Sequence, residues 1–184
     1  MSSVMWEVSE DVVNLLAKVK NKFHNNLSQA TFALAFDESN AFVKNKFNWG
    51  KTLKFSEFNK LWQKPTKFDF AIVLSSSVWS EYLDDTQKEA IIDLHLCRCD
   101  AEYEPEVVIE GKKKIKVKDE HGRIKYTNTI KLDTNGNPKW KLDPIDMDVL
   151  SKNVKHYGLW SNEFLDIKNV ISQANIVTGK HQCS

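Results

Sequence analysis

Val12, Leu15, Leu16, Val19 and Phe23 recur at the spacing of one helix face behind Ser9-Glu10-Asp11, so a helix is predicted there, ending near His24-Asn25-Asn26. Residues 30–36 then read as a strand, and 45–53 as a second strand interrupted at Trp49-Gly50. Residues 56–63 read as a short helix with Phe58, Leu61 and Trp62 on its buried side, ended by Pro65. The run 68–74 is apolar almost without a break, as expected of a central strand covered on both faces. Asp84 and Gln87 have the spacing of a capping box, and the helix they open is predicted to run to about Cys99. Its Ala90, Ile91, Ile92, Leu94, Leu96 and Cys97 leave so little polar face that most sides should be buried.

Beyond Tyr103-Glu104-Pro105-Glu106 the period changes to two. Ile115 and Val117 alternate with Lys114, Lys116 and Lys118, and Glu120-His121-Gly122-Arg123 is a turn from which residues 124–132 return. A second turn, Thr134-Asn135-Gly136-Asn137, leads into Pro138-Lys139-Trp140-Lys141-Leu142. A helix is predicted over 146–157, with Val149, Leu150, Val154 and Tyr157 inward and Gly158 as its stop. Ser161 caps a last helix over 162–177, striped by Phe164, Ile167, Val170, Ile171 and Ile176, and residues 178–184 are expected to fray as a flexible tail. The fold class is therefore α+β: one domain over 1–184, a small mixed sheet with packed helices, and a β-hairpin insert over 101–143.

Composition supports one core. Of 184 residues 41% are hydrophobic, no run of about 18 apolar residues could span a membrane, and residues 1–10 lack the pattern of a signal peptide. Cys97, Cys99 and Cys183 are too few and too clustered for a disulfide framework, which fits a reducing, cytoplasmic setting. Net charge is only +1, which argues against a general nucleic-acid coat, but it is unevenly spread. From Gly111 to Lys141 ten basic residues face three acidic ones, about +7, and the remainder of the chain is acidic. Lysines along an edge ribbon ordinarily prevent edge-to-edge pairing. The sharper reading is a docking surface formed by Lys112, Lys114, Lys116, Lys118, Arg123, Lys125, Lys139, Trp140 and Lys141, with Tyr126 beside them, for an acidic protein or a phosphate backbone. No internal repeat, phosphate-binding glycine loop or Ser/His/Asp arrangement is found.

Candidate chemistry lies on the buried helix. Its segment Glu89-Ala90-Ile91-Ile92-Asp93-Leu94-His95-Leu96-Cys97-Arg98-Cys99-Asp100 resembles a zinc-peptidase helix, in which histidines at i and i+4 hold the metal and a glutamate after the first activates water. Together with the strand 68–74, Trp79, the capped start at 83–89 and Val154-Lys155-His156-Tyr157-Gly158-Leu159-Trp160, it resembles the putative metallopeptidase family encoded by bacteriophages, over about residues 49–160. The resemblance implies a zincin-like fold. With Asp93 fixing the register, it places the first metal histidine at Leu94, the glutamate at His95 and the second histidine at Arg98. A third histidine, from a Pro-His-Asp pattern, falls on Ile145 in Pro144-Ile145-Asp146. Leucine and isoleucine have no lone pair to donate, and arginine stays protonated.

These positions therefore read as degenerate. Leu94 and Ile145 are expected to fill the vacated site with packing, and Arg98 to pair with Asp146 or Asp93; the alternative for Arg98 is an anion holder in the old metal pocket. His95 and Cys99, one turn apart, are the weak metal candidates, with Cys183, His181 or His156 to complete a tetrahedron, but buried cysteines acting as small hydrophobes is the plainer account. No catalytic residue, metal or other cofactor is expected. The leading reading is a non-catalytic binder of a host or defence protein, such as a nuclease or a CRISPR effector, in the host cytoplasm if the gene is phage-borne. The alternatives are a metal-dependent hydrolase with a displaced zinc site, and a direct nucleic-acid binder working through the basic hairpin.

Overall fold

The structure is a computed structural model, and it describes residues 4–5, 8–38, 42–43, 46–60, 63, 66–111 and 113–161. In chain order the strands are β1 (Val4–Met5), β2 (Phe32–Asp37), β3 (Phe42–Val43), β4 (Lys46–Phe47), β5 (Lys51–Lys54), β6 (Phe70–Ser75), β7 (Cys99–Ala101), β8 (Tyr103–Pro105), β9 (Val107–Glu110), β10 (Lys113–Lys116), β11 (Tyr126–Ile130) and β12 (Trp140–Leu142). The helices are α1 (Glu10–Phe23), α2 (Glu57–Lys60), α3 (Ser76–Glu81), α4 (Asp85–Cys97) and α5 (Met147–Tyr157). The predicted last helix and the tail lie outside the described residues, as do Leu61 and Trp62.

The main sheet runs β1-β2-β6-β5, with β2 and β6 parallel and the outer pairings antiparallel. Strand β6 is buried at every position, because β2 and β5 flank it and helices cover it. Val12, Leu16 and Val19 of α1 and Ile91, Ile92 and Leu96 of α4 meet Phe70, Ile72 and Leu74 of β6 in one apolar core. The capping box forms as predicted. Asp84 accepts from the Gln87 amide at 2.8 Å while the Gln87 side chain returns to the Asp84 amide at 3.1 Å, an arrangement that contributes about 1 kcal/mol. Gly50 allows β5 to start against β6: its φ is 97°, and a Cβ there would lie 2.1 Å from the Val73 carbonyl oxygen.

The region 101–143 differs from its expected pairing. β10 pairs with β9, turning at Gly111, while the predicted return meets only the end of the lysine run, where Lys118 bridges Ile124 and the Lys125 amide donates to the Val117 carbonyl at 2.9 Å; β11 pairs with β8, and β12 with β7. The reason is that Val107-Val108-Ile109 is itself a β-branched run next to a glycine, which gives Lys113–Lys116 a nearer partner. The two later turns are built alike, a short repeat not registered from the sequence. Asp119 Oδ1 accepts the amides of His121 and Arg123, Asp133 Oδ1 those of Asn135 and Asn137, and Gly122 and Gly136 both take positive φ. These hydrogen bonds, foremost from the Arg123 and Asn137 amides, hold both carboxyl groups below the usual range.

Candidate functional site

Helix α4 packs between α1 and α5, and this sandwich determines what each of its side chains meets. Leu94 is 4% exposed and packs with Cys97, Val149, Leu150, Trp49 and Trp160. His95, 1% exposed, uses both ring nitrogens: Nδ1 lies 2.9 Å from the Thr52 hydroxyl and Nε2 2.9 Å from the Trp49 carbonyl oxygen. A carbonyl only accepts, so Nε2 carries the proton and Nδ1 accepts from Thr52. Burial above all, with the nearby Arg98 charge adding to it and the Trp49 hydrogen bond opposing it, lowers the His95 pKa to about 4, so the ring is neutral.

Arg98 does not pair with Asp146 or Asp93 as expected. Its Nε donates to the Asp143 carbonyl at 3.0 Å, and the Asp143 amide returns to the Arg98 carbonyl at 2.7 Å, because β7 and β12 run side by side there. Ile145 also departs from its expected role: it is 52% exposed and fills nothing. Asp146, itself exposed, caps α5 by accepting the amides of Asp148 and Val149, and it is Val149 that packs against Leu94. The side chains of Leu94, His95, Arg98 and Ile145 thus do not fit a metal ion. Leucine and isoleucine have no donor atom, Arg98 is a cation, and His95 has no free nitrogen lone pair.

A different set of donors converges on an adjoining face of α4. Asp93 and Cys97, one turn apart, face His24 at the C-cap of α1 and His156 on α5, and their four ligand atoms lie within 4.8 Å of one another. Asp93 is fully buried. Its Oδ1 lies 2.7 Å from His24 Nε2 and 2.9 Å from His156 Nδ1, and its Oδ2 accepts from Asn153 Nδ2 at 2.8 Å and from the Cys97 thiol at 3.5 Å. Burial opposes ionisation of Asp93, but the hydrogen bonds from His24, Asn153 and His156 and the charge of His24 together bring its carboxyl below the usual range. Burial first, then the Asp93 charge and hydrogen bond, push the Cys97 thiol well up. The Trp160 indole donates to Asn153 Oδ1 at 2.7 Å, and the His156 ring stacks on Phe23 at 4.1 Å.

The sequence offered part of this set. Asp93 and Cys97 show the i, i+4 spacing of a helical ligand pair, but His24 and His156 come from elements 69 and 63 residues away from Asp93. The structure does not bring Cys99 and His95 together as two donors. Cys99 is buried in the main core, its thiol 3.5 Å from the His95 backbone carbonyl, and His181 and Cys183 lie outside the described residues.

On the surface, Lys114, Lys116, Lys118 and Lys125 are exposed, and Lys112 lies outside the described residues. Arg123 is tied to Asp119 at 3.0 Å, Lys139 is half-buried, and Lys141 lies 3.4 Å from Asp100 and 3.3 Å from Asp143. Trp140 does not belong to any docking surface. It is 3% exposed, because the alternation of β12 points it into the core beside Phe70. The exposed apolar side chains of the ribbon are instead Val107, Val108, Ile109 and Ile115, with Tyr126 nearby on β11.

None of the helices among the described residues is long and apolar enough to cross a membrane. Compared with known proteins, residues 4–175 match the model of a family described as putative phage metallopeptidase. No curated protein and no solved structure matches the chain.

Proposed function

The chain belongs to the putative phage metallopeptidase family, and from that premise we propose that this member has a zincin-like fold whose catalytic positions have been given over to packing, and that it acts by binding a macromolecule. The observation that carries the reading is the state of His95 and its neighbours. Where the family resemblance calls for a glutamate base there is a neutral, fully hydrogen-bonded histidine, and where it calls for ligands there are Leu94, Arg98 and an outward Ile145. Metal catalysis needs ligands, an open coordination position and a base near the bound water, and this place supplies none of the three.

The ribbon β9–β10 supports binding as the remaining activity. Ile109, 69% exposed, stands in register with Lys114, and Val107, 42% exposed, with Lys116; Val108, 52% exposed, pairs with Ile115 on the opposite face. An apolar strip with a cationic margin suits a protein surface that is apolar at its centre and acidic at its rim. The partner class we favour is a host or defence enzyme, a nuclease or a CRISPR effector, met in the host cytoplasm. The test is retention of one stoichiometric partner from host lysate by the wild-type chain and by a Lys114→Glu, Lys116→Glu, Lys118→Glu variant. The expected result is at least a tenfold loss of retention with unchanged thermal unfolding. Equal retention would return the ribbon to a solvated edge. Retention abolished by nuclease treatment and steeply weakened by salt would instead mark a direct nucleic-acid binder.

A further inference from the structure

We infer that His24, Asp93, Cys97 and His156 form a closed site for a zinc-class divalent ion, separate from the family's catalytic positions and serving to tie α1, α4 and α5 together. Two imidazoles, a carboxylate and a thiolate are the donor set of a borderline-soft transition metal rather than of magnesium or calcium, which take oxygen ligands. The backbone supplies the arrangement: one helical turn of α4 gives the i, i+4 pair Asp93 and Cys97, and the neighbouring helices each bring one histidine. With metal–ligand bonds of about 2.0 to 2.3 Å, tetrahedral ligand atoms stand roughly 3.3 Å apart. The present 2.7 Å between His24 and Asp93 and 2.9 Å between His156 and Asp93 need to open by roughly 0.4 to 0.6 Å to reach that spacing.

Three further observations favour an ion over a purely hydrogen-bonded network. First, Asp93 is already oriented: Asn153 Nδ2, itself fixed by the Trp160 indole, holds Oδ2 and leaves Oδ1 facing both histidines, as outer partners of metal ligands commonly do. Second, charge closes. A divalent ion held by Asp93 and a Cys97 thiolate is neutral, so no uncompensated charge is left in the buried cluster. Third, the His156 side chain is 24% exposed, which gives an ion a way in past its edge. Four protein donors leave no open position, which is the pattern of a structural site rather than a catalytic one.

The test uses the full chain, stripped with chelator and titrated with cobalt(II) and then zinc. One equivalent of cobalt should bind with the visible bands of tetrahedral coordination and a near-ultraviolet thiolate-to-cobalt band. A hundredfold excess of free zinc over Kd should raise Tm by about 5 to 10 °C. Cys97→Ser, which keeps the side-chain size, should lose the thiolate band while its metal-free circular dichroism stays that of wild type. His156→Gln, on the partly exposed ring, should weaken cobalt binding at least tenfold. A His181→Gln, Cys183→Ser variant should keep both the stoichiometry and the thiolate band. No uptake of cobalt, a thiolate band that survives Cys97→Ser, or one that disappears with the His181 and Cys183 changes would overturn the site.

Discussion

Replacing Asp93 by alanine is expected to lower unfolding stability at pH 7 by about 3 to 5 kcal/mol, the range for breaking a buried, hydrogen-bonded charge cluster by removing one member. The magnitude follows from what remains. His24 is 6% exposed and loses the partner of its Nε2, and Asn153, fully buried, loses the Asp93 carboxylate and keeps only the Ala90 carbonyl for its Nδ2. For a chain of this length that loss corresponds to a fall in Tm of roughly 6 to 20 °C. The conservative Asp93→Asn keeps the shape and part of the hydrogen bonding, so it should fall between the two. Urea unfolding of the three proteins checks the order. If Asp93→Ala loses under 1 kcal/mol, the cluster is not holding α1, α4 and α5 together.

The second large effect comes from acid. His95 has a folded pKa of about 4 against about 6.5 for an unperturbed histidine, so the unfolded chain binds its proton first as pH falls. Stability from the neutral ring is complete above about pH 6.5, declines as pH drops through the window to about 4, and the loss amounts to about 3 kcal/mol below it. Depressed Asp93 contributes in the same direction but at lower pH, below the ordinary carboxylate range. Unfolding free energies at pH 7.5 and pH 4.5 should therefore differ markedly in wild type. The difference should shrink in His95→Gln, which has nothing to protonate and can still hydrogen-bond. A pH slope unchanged by that substitution would show that the ring at position 95 is not the buried neutral group inferred from its two partners.

Periodicity made much of the fold legible. The stripe Val12, Leu16, Val19 placed α1, the unbroken run placed β6 at the sheet centre, and Asp84 with Gln87 placed the start of α4. Within 101–143 the two turns were legible, and Lys118 bridges Ile124 and Leu132 bridges Pro138 across them; the pairing of Lys113–Lys116 with Val107–Glu110 was not, because short strands of similar composition compete for partners and a glycine at 111 favours the nearest one. Trp140 was misplaced for a related reason. An aromatic residue among lysines resembles a binding surface until the strand's alternation sets its direction, and β12 directs it inward.

At the site, the family resemblance implies a register along one helix, and through it the places Leu94, His95 and Arg98. It could not foresee Ile145, whose exposure depends on Asp146 turning to cap α5. Nor could it assemble the four-donor cluster. Asp93 and Cys97 are neighbours along a helix and visible as such, but only the packing of three helices brings His24 and His156 to them.

The claim that this metallopeptidase relative no longer catalyses is tested most directly by incubating the chain, with and without added zinc, with a diverse peptide mixture and reading cleavage by mass spectrometry. The account predicts a product profile the same as that of buffer alone under both conditions. Chelator-sensitive cleavage that disappears on His95→Gln or on Cys97→Ser would contradict it, and would show that one of the two histidine-bearing sites around α4 supports hydrolysis.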